Sequence, residues 1–187
     1  MTNAAILSPF KNIATPCIGV CSTVIGDTVC RGCKRYSHEI IHWNSYNEDQ
    51  KRLIDKRLEG FLNQVIASYF VVVDATILRE QISQYKIRVA VHRGDVSAAY
   101  ELIRAGGDQV TPLENFGLKA TAACANWTAT QLKEAIDKDY FDLSSALCRR
   151  AAKCTAIDKT WPMPTVSLCK ACKRSLDLPT IGTITLL

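Results

Sequence analysis

The run N-E-D-Q-K-R-L-I-D-K-R-L at residues 47–58 spells out an amphipathic helix. Asn47, with Gln50 three positions on, makes a capping-box start in which each side chain accepts from the other's backbone N–H. Leu53, Ile54 and Leu58 then gather on one face while Lys and Arg take the outside. Gly60 is where this helix is expected to break or bend. A second apolar segment follows through Phe61, Leu62, Val65, Ile66, Tyr69 and Phe70. Val71–Val73 fits either the end of that helix or a short strand, because so short an apolar run has no decisive period.

The same signals recur downstream. Asp74 caps a helix over 75–84, and Asp95 opens V-S-A-A-Y-E-L-I-R-A, which Gly106-Gly107 closes. Thr111-Pro112-Leu113-Glu114 reads as another start, with Pro at the first helical position. Thr128 with Gln131 begins a helix over 129–138, and Asp142 caps a further one that runs to the region of Lys153. From Cys154 onward the chain reads as loop. The fold class expected is mainly α, with small cysteine-rich irregular or β-hairpin metal modules at the N- and C-terminal ends. Three segments follow from this reading. Residues 15–58 hold a four-cysteine metal-binding module with its following helices, 59–147 a helical domain, and 148–187 a cysteine-rich C-terminal segment.

The chemistry lies N-terminal to the capped helix. Residues 16–35 read P-C-I-G-V-C-S-T-V-I-G-D-T-V-C-R-G-C-K-R. Cys17, Cys21, Cys30 and Cys33 have the spacing C-x3-C-x8-C-x2-C. Close pairs like these suit zinc held tetrahedrally by four thiolates at about 2.3 Å. Four thiolates also hold an iron–sulfur cluster, and spacing does not choose between the two. Four unconnected buried thiols are the competing reading, and a Gly inside each pair speaks against it. Gly26-Asp27, between Val24-Ile25 and Thr28-Val29, predicts a small hairpin. S-H-E-I-I-H-W predicts a short helix from Ser37.

A second group comprises Cys148, Cys154, Cys169 and Cys172, with Cys124 as an alternative to Cys148. C-K-A-C-K-R at 169–174 repeats C-R-G-C-K-R at 30–35, which makes a diverged second metal knuckle a candidate. Its upstream spacing is wide, and Cys124 and Cys148 also fit as core thiols on helices. His38-Glu39-Ile40-Ile41-His42 matches H-E-x-x-H, a zinc-protease pattern. It starts five residues after Cys33, however, and His92 is the only other histidine. Two surface histidines on a short helix are the preferred reading. No glycine-rich phosphate loop or G-x-S-x-G is present, and no cysteine stands out as a nucleophile. An enzyme is not the expectation.

The 187 residues, 48% hydrophobic, can bury a real core. No apolar run approaches the roughly 20 residues of a membrane helix, so no membrane partner is expected. The N-terminus lacks the basic start and long apolar stretch of a secretory signal. A reducing, cytoplasmic setting is therefore expected, where nine cysteines serve as ligands or buried thiols rather than disulfides. Net charge is +5 and uneven: +3 over 1–36, −3 over 37–147 and +5 over 148–187. The basic excess coincides with the clustered cysteines. A nucleic-acid surface would explain it, using Arg31, Lys34, Arg35, Arg149, Arg150, Lys153, Lys170, Lys173 and Arg174. So would local compensation of an anionic thiolate centre, which Arg31, Lys34 and Arg35 favour by their position.

The runs P-C-I-G-V-C, C-R-G-C-K-R, E-I-I-H-W and N-E-D-Q-K-R-L-I-D-K-R-L together resemble a small bacterial family of unknown function. Its members are commonly labelled predicted iron–sulfur proteins. The resemblance covers residues 15–58, under a third of the chain. It implies Cys17, Cys21, Cys30 and Cys33 as ligands and brings no substrate or reaction with it. The function expected is a metal-binding accessory or interaction protein, with an iron–sulfur cluster or zinc and a protein partner. The alternatives are an iron–sulfur redox protein or enzyme component, and a nucleic-acid-binding zinc module.

Overall fold

The computed structural model describes residues 13–89 and 93–155, with side chains described as far as 150. The chain divides into two compact units, 1–148 and 149–187, and the architecture below is that of the first. The described residues are mainly helical. In chain order they form α1 (Ser37–Ile41), α2 (Glu48–Ile66), β1 (Phe70–Val72), α3 (Ala75–Gln84), α4 (Asp95–Gly106), β2 (Leu118–Ala120) and α5 (Ala129–Thr155). Short 3-10 turns lie between several of them.

The expected caps are in place. Asn47 accepts from Gln50 N at 2.9 Å, and Gln50 returns the bond to Asn47 N at 3.0 Å. Asp74 accepts from Thr76 N and Ile77 N. Thr128 and Gln131 bond reciprocally at the start of α5. Each such cap satisfies backbone donors that the first helical turn would otherwise leave open.

Four expectations are corrected. Gly60 neither breaks nor bends α2 away, because the helix continues to Ile66 and nothing crowds that position. A lone exposed Gly weakens a helix by only about 1 kcal/mol, and the stripe Ile54, Leu58, Leu62, Val65, Ile66 is buried on both sides of it. Leu53 is off that stripe and exposed. Thr111–Glu114 yields only a 3-10 turn, Leu113–Phe116, with Pro112 as its cap. Asp142 starts no helix: α5 runs unbroken past it, and its carboxylate pairs with Lys138 at 2.8 Å along the exposed face.

Val71 and Val72 fall in a strand that begins at Phe70, and Val73 lies just beyond it. β1 pairs antiparallel with β2 in the register Phe70↔Ala120, Val71↔Lys119, Val72↔Leu118. Phe70 and Leu118 point into the core, while Val71 is half exposed. Gly117 makes the junction possible. Its carbonyl accepts from Val73 N and Asp74 N, its φ is +70°, and a Cβ there would run into the Asp74 carbonyl oxygen. The core gathers Leu58, Leu62 and Ile66 of α2, Leu78 of α3, Leu102 and Ile103 of α4, and Leu132 and Ile136 of α5. Tyr140 of α5 closes it by donating to the Leu58 carbonyl at 2.9 Å. Among the described residues, no helix is long and apolar enough to cross a membrane.

Candidate metal centre

The cysteine segment is built from turns rather than from the expected hairpin. Ser22–Ile25 forms a 3-10 turn capped by Gly26 at φ +101°, so Val24-Ile25 does not pair with Thr28-Val29. The pairing is longer in reach. Val29 bridges Tyr36 antiparallel, Cys30 N donates to Arg35 O at 2.9 Å, and Ser37 N donates to Thr28 O at 2.9 Å. This clip encloses a tight turn, 30–34, that carries Cys30 and Cys33. Lys34 closes the turn in the left-handed region at φ +58°, its N–H donating to Cys30 O at 2.8 Å.

Cys30 is 1% exposed. Burial pushes its thiol up, but backbone N–H groups of Cys33, Ser22 and Gly32 and the Cys33 side chain outweigh that and bring it down to about 7. Several donors converging on one sulfur favour its anionic form. Burial pushes the Cys33 thiol up, and Arg35 offsets only part of this. Arg35 Nε donates to Cys33 Sγ at 3.4 Å, and its guanidinium lies 4.7 Å over the Trp43 ring.

Lys34 folds back over its own turn. Its Nζ donates to Arg31 O at 2.7 Å, Gly32 O at 3.3 Å and Asp137 Oδ1 at 3.0 Å. Drawing those two carbonyls to the ammonium turns the following amide N–H groups, those of Gly32 and Cys33, toward Cys30. Asp137 also accepts from Tyr100 OH at 2.7 Å and pairs with Lys133. Burial raises its carboxyl, but Tyr100, Lys34 and Lys133 together hold it below the usual carboxylate range.

The loop 17–21 lies against this knuckle. Cys30 Sγ donates to Val20 O at 3.7 Å, Arg31 N donates to Ser22 Oγ at 2.9 Å, and a Cβ on Gly32 would strike Ile18 and Val20 O at 2.9 Å. Cys21 is half-buried with its sulfur 3.0 Å from Thr23 Oγ1. Cys17 is exposed, and its Sγ accepts from Gly19 N. Cys30 and Cys33 are thus together, with the backbone leading into Cys21 beside them. Among the described residues, no group of three or more His, Cys, Asp or Glu side chains is gathered as a ligand set.

The second cysteine group falls largely outside the described residues. Cys148 is half-buried on α5, Cys154 lies on the last turn of α5 with its side chain not described, and Cys169 and Cys172 lie outside the described residues. The helix reaches one residue beyond Cys154, where loop was expected. Cys124 is buried in the core at the side of α5's start, as a structural thiol would be.

H-E-x-x-H is employed structurally. Glu39 is buried and accepts from Tyr36 N at 2.9 Å and from Arg57 Nη2 at 2.7 Å. A carboxylate committed to a cap and a buried ion pair is not available as a general base. His38 is half-buried with its imidazole shifted down by burial, His42 caps the end of α1, and His92 lies outside the described residues.

Sequence reasoning did not find Asp137, Tyr100, Trp43 or Arg57 as supports of the knuckle. Arg57 lies 3.9 Å over the Tyr36 ring as well as bonding Glu39. Asp137 is 103 residues from Lys34, and no local pattern links them.

A model of the family described as "Protein of unknown function (DUF1289)" matches residues 15–61. No curated protein and no solved structure matches the chain.

Proposed function

We propose that residues 15–45 form a metal-binding module and that the chain is an accessory or interaction protein, with the helices that follow available to a protein partner. One observation carries this reading. The buried Cys30 and Cys33 share one tight turn, and the loop leading to Cys21 packs against it, with Val20 O beside Cys30 Sγ and Ile18 and Val20 against Gly32; the surrounding backbone N–H groups bring the Cys30 thiol down to about 7. Four thiols are the donor chemistry of such a centre. Among the described residues no three of them are gathered, so a bound metal would draw Cys17 and Cys21, on the loop packed against Gly32, to the buried pair Cys30 and Cys33. When bound, zinc would cross-link the two halves of the module, and an iron–sulfur cluster would in addition carry one electron.

The chain's own residues divide the work. Gly32, Cys33 and Ser22 orient and charge-stabilise Cys30 through their N–H groups. Lys34 holds the turn that aims two of those donors. Arg35 faces Cys33 and carries positive charge into a buried place.

Arg31 is exposed, whereas Lys34 and Arg35 are each only 3% exposed. Two of the three cations at residues 31–35 are thus spent inside the fold, which supports local compensation over a nucleic-acid surface there. Salt-sensitive binding to DNA or RNA would favour the nucleic-acid reading instead.

The test is purification of the full chain without oxygen, followed by metal analysis and an absorption spectrum. Iron with acid-labile sulfide assigns a cluster, and one zinc per colourless chain assigns zinc. Cys30→Ser is expected to lose the metal and destabilise the module. A chain that holds neither metal and takes up neither zinc nor cobalt would overturn the reading.

A further inference from the structure

Arg35 is more than one of several cations near the thiolates. It touches both cysteines of the knuckle by different groups. Its backbone carbonyl accepts from Cys30 N at 2.9 Å, and its Nε donates to Cys33 Sγ at 3.4 Å. Its guanidinium is pinned over the Trp43 indole at 4.7 Å, and the whole residue is 3% exposed. Exposed Arg31, by contrast, pairs with Asp27 at 2.9 Å. A four-thiolate zinc site carries two formal negative charges, and burying that charge is costly without an internal partner. In the knuckle, Arg35 brings a side-chain N–H to a cysteine sulfur.

We propose that Arg35 is a positioning residue for the metal centre, fixing the Cys33 sulfur by an N–H···S bond and lowering its donor strength. The inference rests on the four-cysteine reading of the site. A charge-assisted hydrogen bond draws electron density from the sulfur, so thiolate-to-metal charge transfer moves to higher energy. Trp43 is part of the device because stacking holds the guanidinium plane, and with it the Nε–H direction. Lysine cannot reproduce this. Its ammonium is a strongly hydrated point charge on a flexible stem, with no plane to stack and no donor fixed beside the backbone.

The test titrates the metal-free full chain with Co²⁺ and then with Zn²⁺ against a chromophoric chelator. Arg35→Met is expected to shift the thiolate-to-cobalt band to lower energy and to weaken zinc affinity by about 10- to 100-fold, the range found when outer-shell partners of a ligand are removed. Arg35→Lys should fail to restore the band energy although it restores the charge. Arg52→Met, which removes an exposed cation elsewhere, should move neither readout. Band energy separates this role from a merely structural one, since a destabilised fold lowers occupancy without shifting the spectrum of the filled sites. Wild-type band energy and affinity in Arg35→Met overturn the proposal. Should that variant not fold, wild-type band energy in Arg35→Lys does so. A wild-type chain that binds neither ion fails the four-cysteine reading itself, a result distinguishable from the loss of Arg35's role.

Discussion

Replacing Lys34 separates what its ammonium contributes from what its backbone conformation costs. In Lys34→Met the Nζ bonds to Arg31 O, Gly32 O and Asp137 are all lost. Orphaning a buried charge costs about 3–5 kcal/mol, but that full cost does not apply. Asp137 is 33% exposed at its side chain and keeps Tyr100 and Lys133. The appropriate scale is a charge-assisted hydrogen bond, so the loss expected is about 2–3 kcal/mol. Lys34→Gly loses the same bonds but also relieves the left-handed φ of +58°. That relief is about 1–2 kcal/mol, against a greater unfolded-state entropy of about 0.5–1 kcal/mol for glycine. Gly is therefore expected to be less damaging than Met by roughly 0.5–1 kcal/mol. The order of stability becomes wild type, then Gly, then Met, although Met retains more side chain. Urea unfolding of the full chain, with metal content matched across variants, reads this directly. With a slope of about 2 kcal/mol/M, the Met variant's midpoint falls by about 1 M. A glycine variant as stable as wild type would refute the reasoning, because the ammonium would then contribute nothing beyond offsetting its own strain.

Asp137→Asn removes the other end of the same contact, and the double variant with Lys34→Met should fall short of the summed single losses by about 1 kcal/mol in a double-mutant cycle. The Asp137 carboxyl is held low in the fold, so its contribution is complete above its unfolded value of about 3.9 and disappears as pH falls through the lower folded value. Thermal melts between neutral pH and acid should therefore fall less steeply in Asp137→Asn than in wild type; parallel curves would contradict this. Gly117→Ala places a Cβ against the Asp74 carbonyl at a φ of +70° and should cost about 2 kcal/mol or more by denaturant unfolding, at the upper end of ordinary point-mutant losses. Glu39→Gln should lower stability through the Arg57 pair and the α1 cap without removing any metal-dependent peptidase activity; loss of such an activity would revive the H-E-x-x-H reading.

Sequence was a good guide wherever the signal was local. The caps at Asn47, Asp74 and Thr128 are local hydrogen-bond patterns, and all three begin helices at the expected residues. Errors arose where a local signal competed with packing. Gly60 and Asp142 look like stops or starts in isolation, yet α2 and α5 continue through them because buried stripes on either side hold one helix together. Gly26 makes a turn, as its sequence predicts, but not the hairpin that the flanking residues suggest. Its glycine caps a 3-10 turn, while Val29 pairs with Tyr36 across the knuckle. At the site, the cysteine spacing points to Cys30 and Cys33 as neighbours. It says nothing of which cation faces which sulfur, because Lys34 and Arg35 differ only in the direction that a left-handed residue gives the chain. Lys34 folds back over its own turn to Asp137, and Arg35 returns to Cys33.

The extent of the family match follows from these contacts. Residues 15–61 contain both halves of the cysteine segment, Trp43 beneath Arg35, Glu39 with Arg57, and Tyr36 and Phe61 on either side of the Arg57 guanidinium. That set is closed: the groups seen to brace the Cys33 side of the knuckle, and the cap that positions α1, all lie inside it. Other bonds tie the matched segment to the rest of the body. Lys34 reaches Asp137 and the Leu58 carbonyl receives Tyr140, both on α5, while Asp55 pairs with Arg93 and Glu59 accepts from Gly94 N. About 31 residues with Val29, Cys30, Cys33 and Trp43 as their buried apolar groups cannot supply a core of their own, and small modules of this kind depend on a metal or on docking. Here the cysteines offer the first and α2 with α5 supply the second. The module's own geometry is thus written within the matched segment, whereas its attachment to the helical body is written outside it, at Asp137, Tyr140 and Phe141 of α5 and at Arg93 and Gly94 ahead of α4.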